Sequence, residues 1–228
     1  MCGRYSLTTP AELIAEAFGL DAPPQLAPRY NVAPTQPILA VRTVPGGSGR
    51  EGVELRWGLI SKASRETLVG PPLINARAET AAERPAFRHA LRVRRCLVPA
   101  DGFYEWQRAG TGPRAFHFTL RDGAPFGLAG VWEPWAPPDT GVVGSCAVLT
   151  TAPNPLVGEI HDRMPVMLLP EAFSRWLDPE LTDPEALAPL LAALPAERMA
   201  VREVGRAVND VRRDGPECLE PPRELRLF

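Results

Sequence analysis

The chain has 228 residues, of which 45% are hydrophobic and 23% charged, so it can bury a core of its own without staples. Gly and Pro, at 19 and 27 residues, make up about a fifth of it, below the roughly 25–30% of low-complexity chains, which excludes wholesale disorder. A formal net charge of −2 excludes a generally basic coat for nucleic acid, so any nucleic-acid site must be a local patch.

In chain order, Thr9-Pro10-Ala11-Glu12 reads as a capping box with Pro at the first helical position. Leu13, Ile14, Ala17 and Phe18 then share one helical face, and Gly19 closes the helix. That helix would tie the short segment 2–7 to the body, where a terminus otherwise frays. Strand-like runs follow at 38–44, 53–57, 96–98, 103–106, 116–120, 126–131, 146–151 and 166–169. Phe116-His117-Phe118-Thr119-Leu120 has the period-two alternation of a half-buried strand. Helices are predicted over 79–92, 171–177 and 185–194, the last opened by Asp183-Pro184. Segments 45–52 and 134–144 read as exposed loops, and 215–228 as a tail. Strands this closely spaced leave no room for regular βαβ crossovers. The expected architecture is therefore α+β: one domain over 1–228, with a mostly antiparallel sheet curled toward a barrel and helices outside it.

The four cysteines, Cys2, Cys96, Cys146 and Cys218, form no CxxC pair, and the only histidines are His89, His117 and His161. This argues against a zinc site, and no metal or cofactor is expected. No secretory signal pattern and no apolar run of about 18 residues occurs, so the expected setting is the reducing cytosol, with free thiols and no membrane. Of the 25 Lys and Arg residues only Lys62 is a lysine. Amine chemistry therefore has two sources, Lys62 and the chain's own amino terminus.

Met1-Cys2-Gly3-Arg4 is the first segment with chemical content. Removal of Met1 would expose an α-amine titrating near ~8 and a thiol near ~8.5 on one carbon frame. The two could attack one aldehyde in turn, the amine giving an imine and the thiol closing a five-membered thiazolidine. In Leu73-Ile74-Asn75-Ala76-Arg77, a strand end would deliver Asn75 and Arg77 on one face; an ordinary cap with a solvated arginine fits equally. Glu105 is the lone acid of an aromatic stretch, Phe103-Tyr104-Glu105-Trp106. With Phe103 and Glu105 pointing one way and Tyr104 and Trp106 the other, it is either an acid–base group with a raised pKa or an outward charge. His161 and Arg163 offer a proton shuttle and a phosphate fork, or a simple turn.

Taken together these segments resemble one family. Cys2-Gly-Arg, Asn31-Val-Ala-Pro-Thr, Arg56-Trp-Gly-Leu, Asn75-Ala-Arg-Ala-Glu-Thr, Asp101-Gly-Phe-Tyr-Glu-Trp and His161-Asp-Arg-Met-Pro-Val occur in the order seen in the SRAP family of SOS-response-associated, abasic-site processing proteins. The resemblance runs from Cys2 to about Asn209. It implies binding of single-stranded DNA and covalent capture of abasic sites by Cys2 once Met1 is removed. By motif match, Asn75 orients the sugar and the Cys2 amine, Glu105 is the acid–base group, and His161 is a second proton-transfer residue. Arg77 and Arg163 match phosphate contacts, and Trp57 and Trp106 match aromatics near the DNA, with Pro34 beside them. Arg4, Arg84, Arg88 and Thr151 are further candidates for the DNA channel. A short single-stranded site needs only one domain, so a monomer is expected; the resemblance implies action on the damaged nucleoid, regulated by DNA damage. Two other functions remain open: a thiol peptidase or amidohydrolase using Cys2, and a non-covalent reader of single-stranded or modified-base DNA. One segment departs from the family pattern. Ser61-Lys62-Ala63-Ser64 stands where many relatives have Pro-Ser-Trp and a lysine-containing stretch, so a trimmed loop is expected there.

Overall fold

A computed structural model describes residues 2–47, 49–60, 72–108, 110, 112–135 and 144–222; Met1, the 61–64 departure with Lys62, most of the 134–144 loop and residues 223–228 lie outside them. The strands are β1 (Tyr5–Leu7), β2 (Arg29–Val32), β3 (Pro37–Thr43), β4 (Arg50–Trp57), β5 (Asn75–Arg77), β6 (Arg95–Ala100), β7 (Gly102–Gln107), β8 (Arg114–Leu120), β9 (Phe126–Pro134), β10 (Gly144–Thr151), β11 (Met164–Pro165), β12 (Met167–Leu168) and β13 (Met199–Val204). The helices are α1 (Ala11–Phe18), α2 (Ala78–Ala81), α3 (Arg88–Val93), α4 (Pro155–Gly158), α5 (Pro170–Leu177) and α6 (Pro184–Leu187).

The curled sheet closes. β10, β4, β3, β6 and β9 pair in that order, and β9 returns to pair with β10. Every pairing in this ring is antiparallel except β4 with β10. β10 is buried along its whole length, as a strand covered on both faces must be. Its edge takes β4 first (Cys146 opposite Trp57) and then β5 (Val148 opposite Asn75), both parallel. β5 therefore resumes the line of β4. The second sheet runs β13-β8-β7-β1-β2, all antiparallel. Within the core, Phe18 stacks on Phe173 with ring centroids 4.8 Å apart, and Phe103 on Phe118 at 4.9 Å. Each such ring contributes about 1.5–3 kcal/mol by burial.

The chain passes from barrel to second sheet at Asp101, between β6 and β7. Its carboxylate accepts five hydrogen bonds, from Ser6 Oγ and from the backbone N–H and hydroxyl of both Thr8 and Thr9. Asp101 N–H donates to the Ser6 carbonyl at 2.9 Å. This knot fastens β1, and with it Cys2, to the head of β7, the strand that carries Glu105.

Several local expectations change. Thr9 does not cap α1; its donors are spent on Asp101, and Pro10 precedes the helix without a side-chain cap. Gly19 does close α1, at φ 65° and ψ 46°, the left-handed geometry glycine takes without penalty. The helix expected over 79–92 is two short helices, α2 and α3, because Pro85 lies between them and offers no N–H to a helical ladder. The one expected over 185–194 is α6 followed by a tighter turn at Ala188–Leu191, with Pro189 inside it. The 45–52 loop is shorter, since β4 already begins at Arg50. Segment 215–222 is no loose tail: Pro216–Leu219 forms a helical turn, Cys218 is buried, and Gly205 N–H donates to the Glu220 carbonyl at 2.7 Å.

Candidate active site

Four side chains from four places in the chain converge at the start of β1. Cys2 is fully buried. The Asn75 amide, delivered by β5, donates from Nδ2 to the Cys2 carbonyl at 2.8 Å. Its Oδ1 is buried and has no partner among the described residues. Such an orphan acceptor is costly and calls for an explanation. Glu105, on β7, is 3% exposed and shares the inward face with Phe103, while Tyr104 and Trp106 pack in a separate cluster on the other side. The outward-charge alternative is therefore excluded. Burial pushes the Glu105 carboxyl up to about 7, since desolvation penalises the charged form. The charge of Glu105 also reaches Cys2, where burial first, and Glu105 next, push the thiol up from its ordinary value.

His161 Nε2 stands 3.8 Å from Glu105 Oε2. At the other end of the ring, Nδ1 lies 3.0 Å from the Arg163 N–H and 3.1 Å from Asp162 Oδ1. Either protonation state thus finds a partner at Nδ1, and Nε2 is the nitrogen that faces Glu105. Burial lowers the His161 pKa, which favours the neutral ring near pH 7. The pair can hold a proton and pass it on, as acid–base chemistry requires. Arg163 reaches across to Glu79, at 2.7 and 2.8 Å, and donates to the Thr150 carbonyl at 2.7 Å. Among the described residues no group of three His, Cys, Asp or Glu side chains converges to hold a metal ion.

The family model described as SOS response associated peptidase (SRAP) matches residues 1–211. This chain belongs to the SRAP family. Abasic site processing protein YoqW of Bacillus subtilis (strain 168) is 39% identical over 224 residues, covering 96% of this chain and 99% of that one. Abasic site processing protein YedK of Escherichia coli (strain K12) is 32% identical over 228 residues, covering 97% and 100%. A crystal structure of a protein from Bacteroides thetaiotaomicron shares the fold, with a TM-score of 0.82, 24% identity, and coverage of 97% of this chain and 100% of that one.

Not every residue picked out by resemblance to the SRAP family lies at this cluster. Arg77 is exposed at the end of β5, two residues after Asn75. Trp57 is fully buried, its Nε1 donating to the Ile74 carbonyl at 2.9 Å; it supports the approach to β5 from below. Pro34 is half-buried in the turn after β2, beside Thr35, a non-glycine at φ 73°. Trp106 is half-buried, with its Nε1 on Asn209 Oδ1 at 2.7 Å and Arg4 lying 5.6 Å from its ring centroid. Arg4 is committed to Asn31 Oδ1 at 2.8 Å and the Val208 carbonyl at 2.7 Å. Arg84 and Arg88 are exposed on the segment from α2 to α3, and Thr151 is buried opposite Met164.

Sequence reading missed three residues that shape the site: Asp101, Asn31 and Glu79. Asn31 Nδ2 donates to the carbonyls of Val208, Asp210 and Arg213, which holds that segment against β2 beside Arg4 and Trp106. All three lie inside the family motifs, which was the available signal. Ser6, His117 and Asp101 have the composition of a hydrolytic triad but not its geometry. Ser6 Oγ bonds both Asp101 Oδ1 (2.6 Å) and His117 Nε2 (3.0 Å), while His117 Nδ1 has no partner among the described residues. A triad instead needs the acid on the far ring nitrogen. Burial drives His117 down to about 4, so it stays neutral.

Proposed function

We propose that this SRAP chain captures abasic sites in single-stranded DNA as a covalent thiazolidine on Cys2. The observation that carries the reading is the convergence of Cys2, Asn75, Glu105 and His161, with an unused acceptor beside the Cys2 backbone. Once Cys2 heads the chain, Asn75 Oδ1 can accept from its α-amine while Nδ2 keeps the carbonyl, which fixes the amine's direction of attack.

An abasic sugar rests mostly as a closed hemiacetal. Opening adds a proton to the ring oxygen and removes one from the C1′ hydroxyl. Glu105, poised near neutrality, and His161 supply and accept these protons. The Cys2 amine then adds to the aldehyde carbon, and water leaves to give an imine. The sulfur adds to the imine carbon, and the thiol proton ends on the nitrogen. The net change is loss of one water. The sulfur attacks within its own residue, at high effective concentration, and the Glu105 carboxylate beside it can take the thiol proton on its way to the nitrogen.

Arg77 and Arg163 would take the phosphates flanking the lesion, and Trp106 would stack on an unpaired base, with Pro34 at its side. Trp57 would act from within, through the backbone before β5. Arg84 and Arg88 extend the arginine track; Arg4 and Thr151 support its walls. One lesion needs one domain, so the acting form is a monomer in the compartment of the chromosomal DNA. Among the described residues no helix is long and apolar enough to cross a membrane.

The test is incubation of protein lacking Met1 with a single-stranded oligonucleotide carrying one abasic site, resolved on a denaturing gel. The reading expects a shifted band that is absent with Cys2→Ala. Equal, denaturant-resistant retention by Cys2→Ala would refute capture through the Cys2 sulfur, and no shifted band from either protein would refute capture in favour of binding alone.

A further inference from the structure

Glu79 sits where an incoming anion would sit. Its two carboxylate oxygens take the two Nη groups of Arg163 at 2.7 and 2.8 Å. That parallel fork is the geometry arginine offers equally to a carboxylate and to a phosphate. Arg77 adds its charge to the same carboxylate, and the Arg163 hydrogen bonds, first among the causes, hold Glu79 below its ordinary value of 4.5. Arg163 thus grips this carboxylate with its whole fork, and Arg77 lies near enough for its charge to be felt there.

The backbone explains the arrangement. Along the β5–β10 ladder Arg77 stands opposite Thr150, and the Thr150 carbonyl accepts from Arg163 Nη2 at 2.7 Å. Arg163 is therefore tethered from below by a main-chain acceptor that does not depend on Glu79. The Glu79 side chain is 48% exposed while that of Arg163 is 15% exposed. The pair opens to solvent on the glutamate side, where an ion pair contributes little and is readily exchanged.

We propose that Glu79 is a resident stand-in for a DNA phosphate: it occupies the anion site made by Arg163 and Arg77, holds the guanidinium fork in place, and gives way when a phosphodiester of the strand enters. This rests on the DNA-capture reading above and names the residue that limits affinity for strands in general. Every strand must displace Glu79, and the displaced carboxylate then repels the phosphate that replaces it. Undamaged strands, which gain no covalent bond, are released; abasic strands are retained by Cys2.

The test is fluorescence anisotropy with a single-stranded oligonucleotide carrying a tetrahydrofuran residue, an abasic analogue that has no aldehyde and cannot be captured. Wild type, Glu79→Gln, Arg163→Gln and the double variant would be titrated across a salt series. Glu79→Gln is expected to bind about three- to tenfold tighter than wild type. Its log–log salt dependence should be steeper by about 0.7, the share of one further phosphate neutralised on a single strand. In the Arg163→Gln background the same change should give a much smaller gain, since only the charge of Arg77 remains beside Glu79. Equal or weaker binding by Glu79→Gln at an unchanged slope would overturn the proposal, as would the same gain with and without Arg163. Absence of binding by wild type and Glu79→Gln alike at the lowest salt would overturn the DNA reading and the proposal together.

Discussion

Replacing Glu105 by Gln should stabilise the protein at alkaline pH while disabling its chemistry. Burial raises this carboxyl from its ordinary 4.5 to about 7. Between those values the unfolded chain has released the proton and the folded chain still holds it. Stability therefore falls as pH rises through this window, and the loss is complete above the folded value. At about 1.4 kcal/mol per tenfold, the loss reaches about 3 kcal/mol near pH 8 and stays under about 1 kcal/mol near pH 5. Gln has nearly the same shape and never ionises, so the substitution removes this penalty. Urea denaturation at the two pH values is the assay. Glu105→Gln should exceed wild type by about 3 kcal/mol near pH 8, or about 6–12 °C in Tm for a domain of this size, and by much less near pH 5. The same variant cannot pass a proton, so adduct formation should slow by about 10²- to 10⁴-fold. A stability difference that is the same at both pH values, or a loss near pH 8, would refute the reasoning, because Glu105 would then be held as a favourably placed anion.

Substitutions at three further positions test the framework of the fold. Gly102→Ala places a β-carbon 2.0 Å from His117 Nε2, so the ring must move and the Ser6–His117 bond is lost; urea denaturation should show a loss of about 2 kcal/mol or more. Arg95 is buried and donates to the carbonyls of Leu91 (2.9 Å), Arg92 (2.6 Å), Trp176 (2.6 Å) and Asp178, closing the ends of both α3 and α5. Arg95→Met should therefore cost about 3 kcal/mol in the same assay, with Arg95→Lys recovering only part because it lacks the planar fork. Asn31→Ala removes three donations to the 208–213 backbone, and limited proteolysis should then cut that segment faster than in wild type while the barrel stays resistant.

The local signals in the sequence were strongest where packing is simplest. The alternation at 116–120 became β8, and the apolar runs at 126–131 and 146–151 became β9 and β10, each a few residues longer than expected. Closure of the barrel was not legible, because it depends on β10 pairing in parallel with β4 and then β5 across some seventy to ninety residues of chain. The helix expected over 79–92 overlooks Pro85, which has no N–H to give a helical ladder, and the fold makes two helices there. Trp57 illustrates a signal that period two already contained: it shares a strand face with the buried Leu55, and both lie in the core. Motif order picked out Cys2, Asn75, Glu105 and His161, the four positions proposed to react, and the fold brings them together. The burial of Glu105 was not, since alternation alone leaves either face free to be the inner one. The roles of Asp101, Asn31 and Glu79 come from partners far along the chain, which residue type and spacing do not specify.

The central claim, that both the amine and the thiol of Cys2 react with one aldehyde, is tested most directly by the intact mass and persistence of the adduct. Protein lacking Met1 and its Cys2→Ser variant would each be mixed with abasic single-stranded oligonucleotide, denatured, and weighed with and without borohydride. The wild-type adduct is expected at the mass of protein plus DNA minus one water and persists without reductant, while Cys2→Ser yields a lasting adduct only after reduction. No adduct from wild type, or equal persistence of the two without borohydride, would contradict the claim.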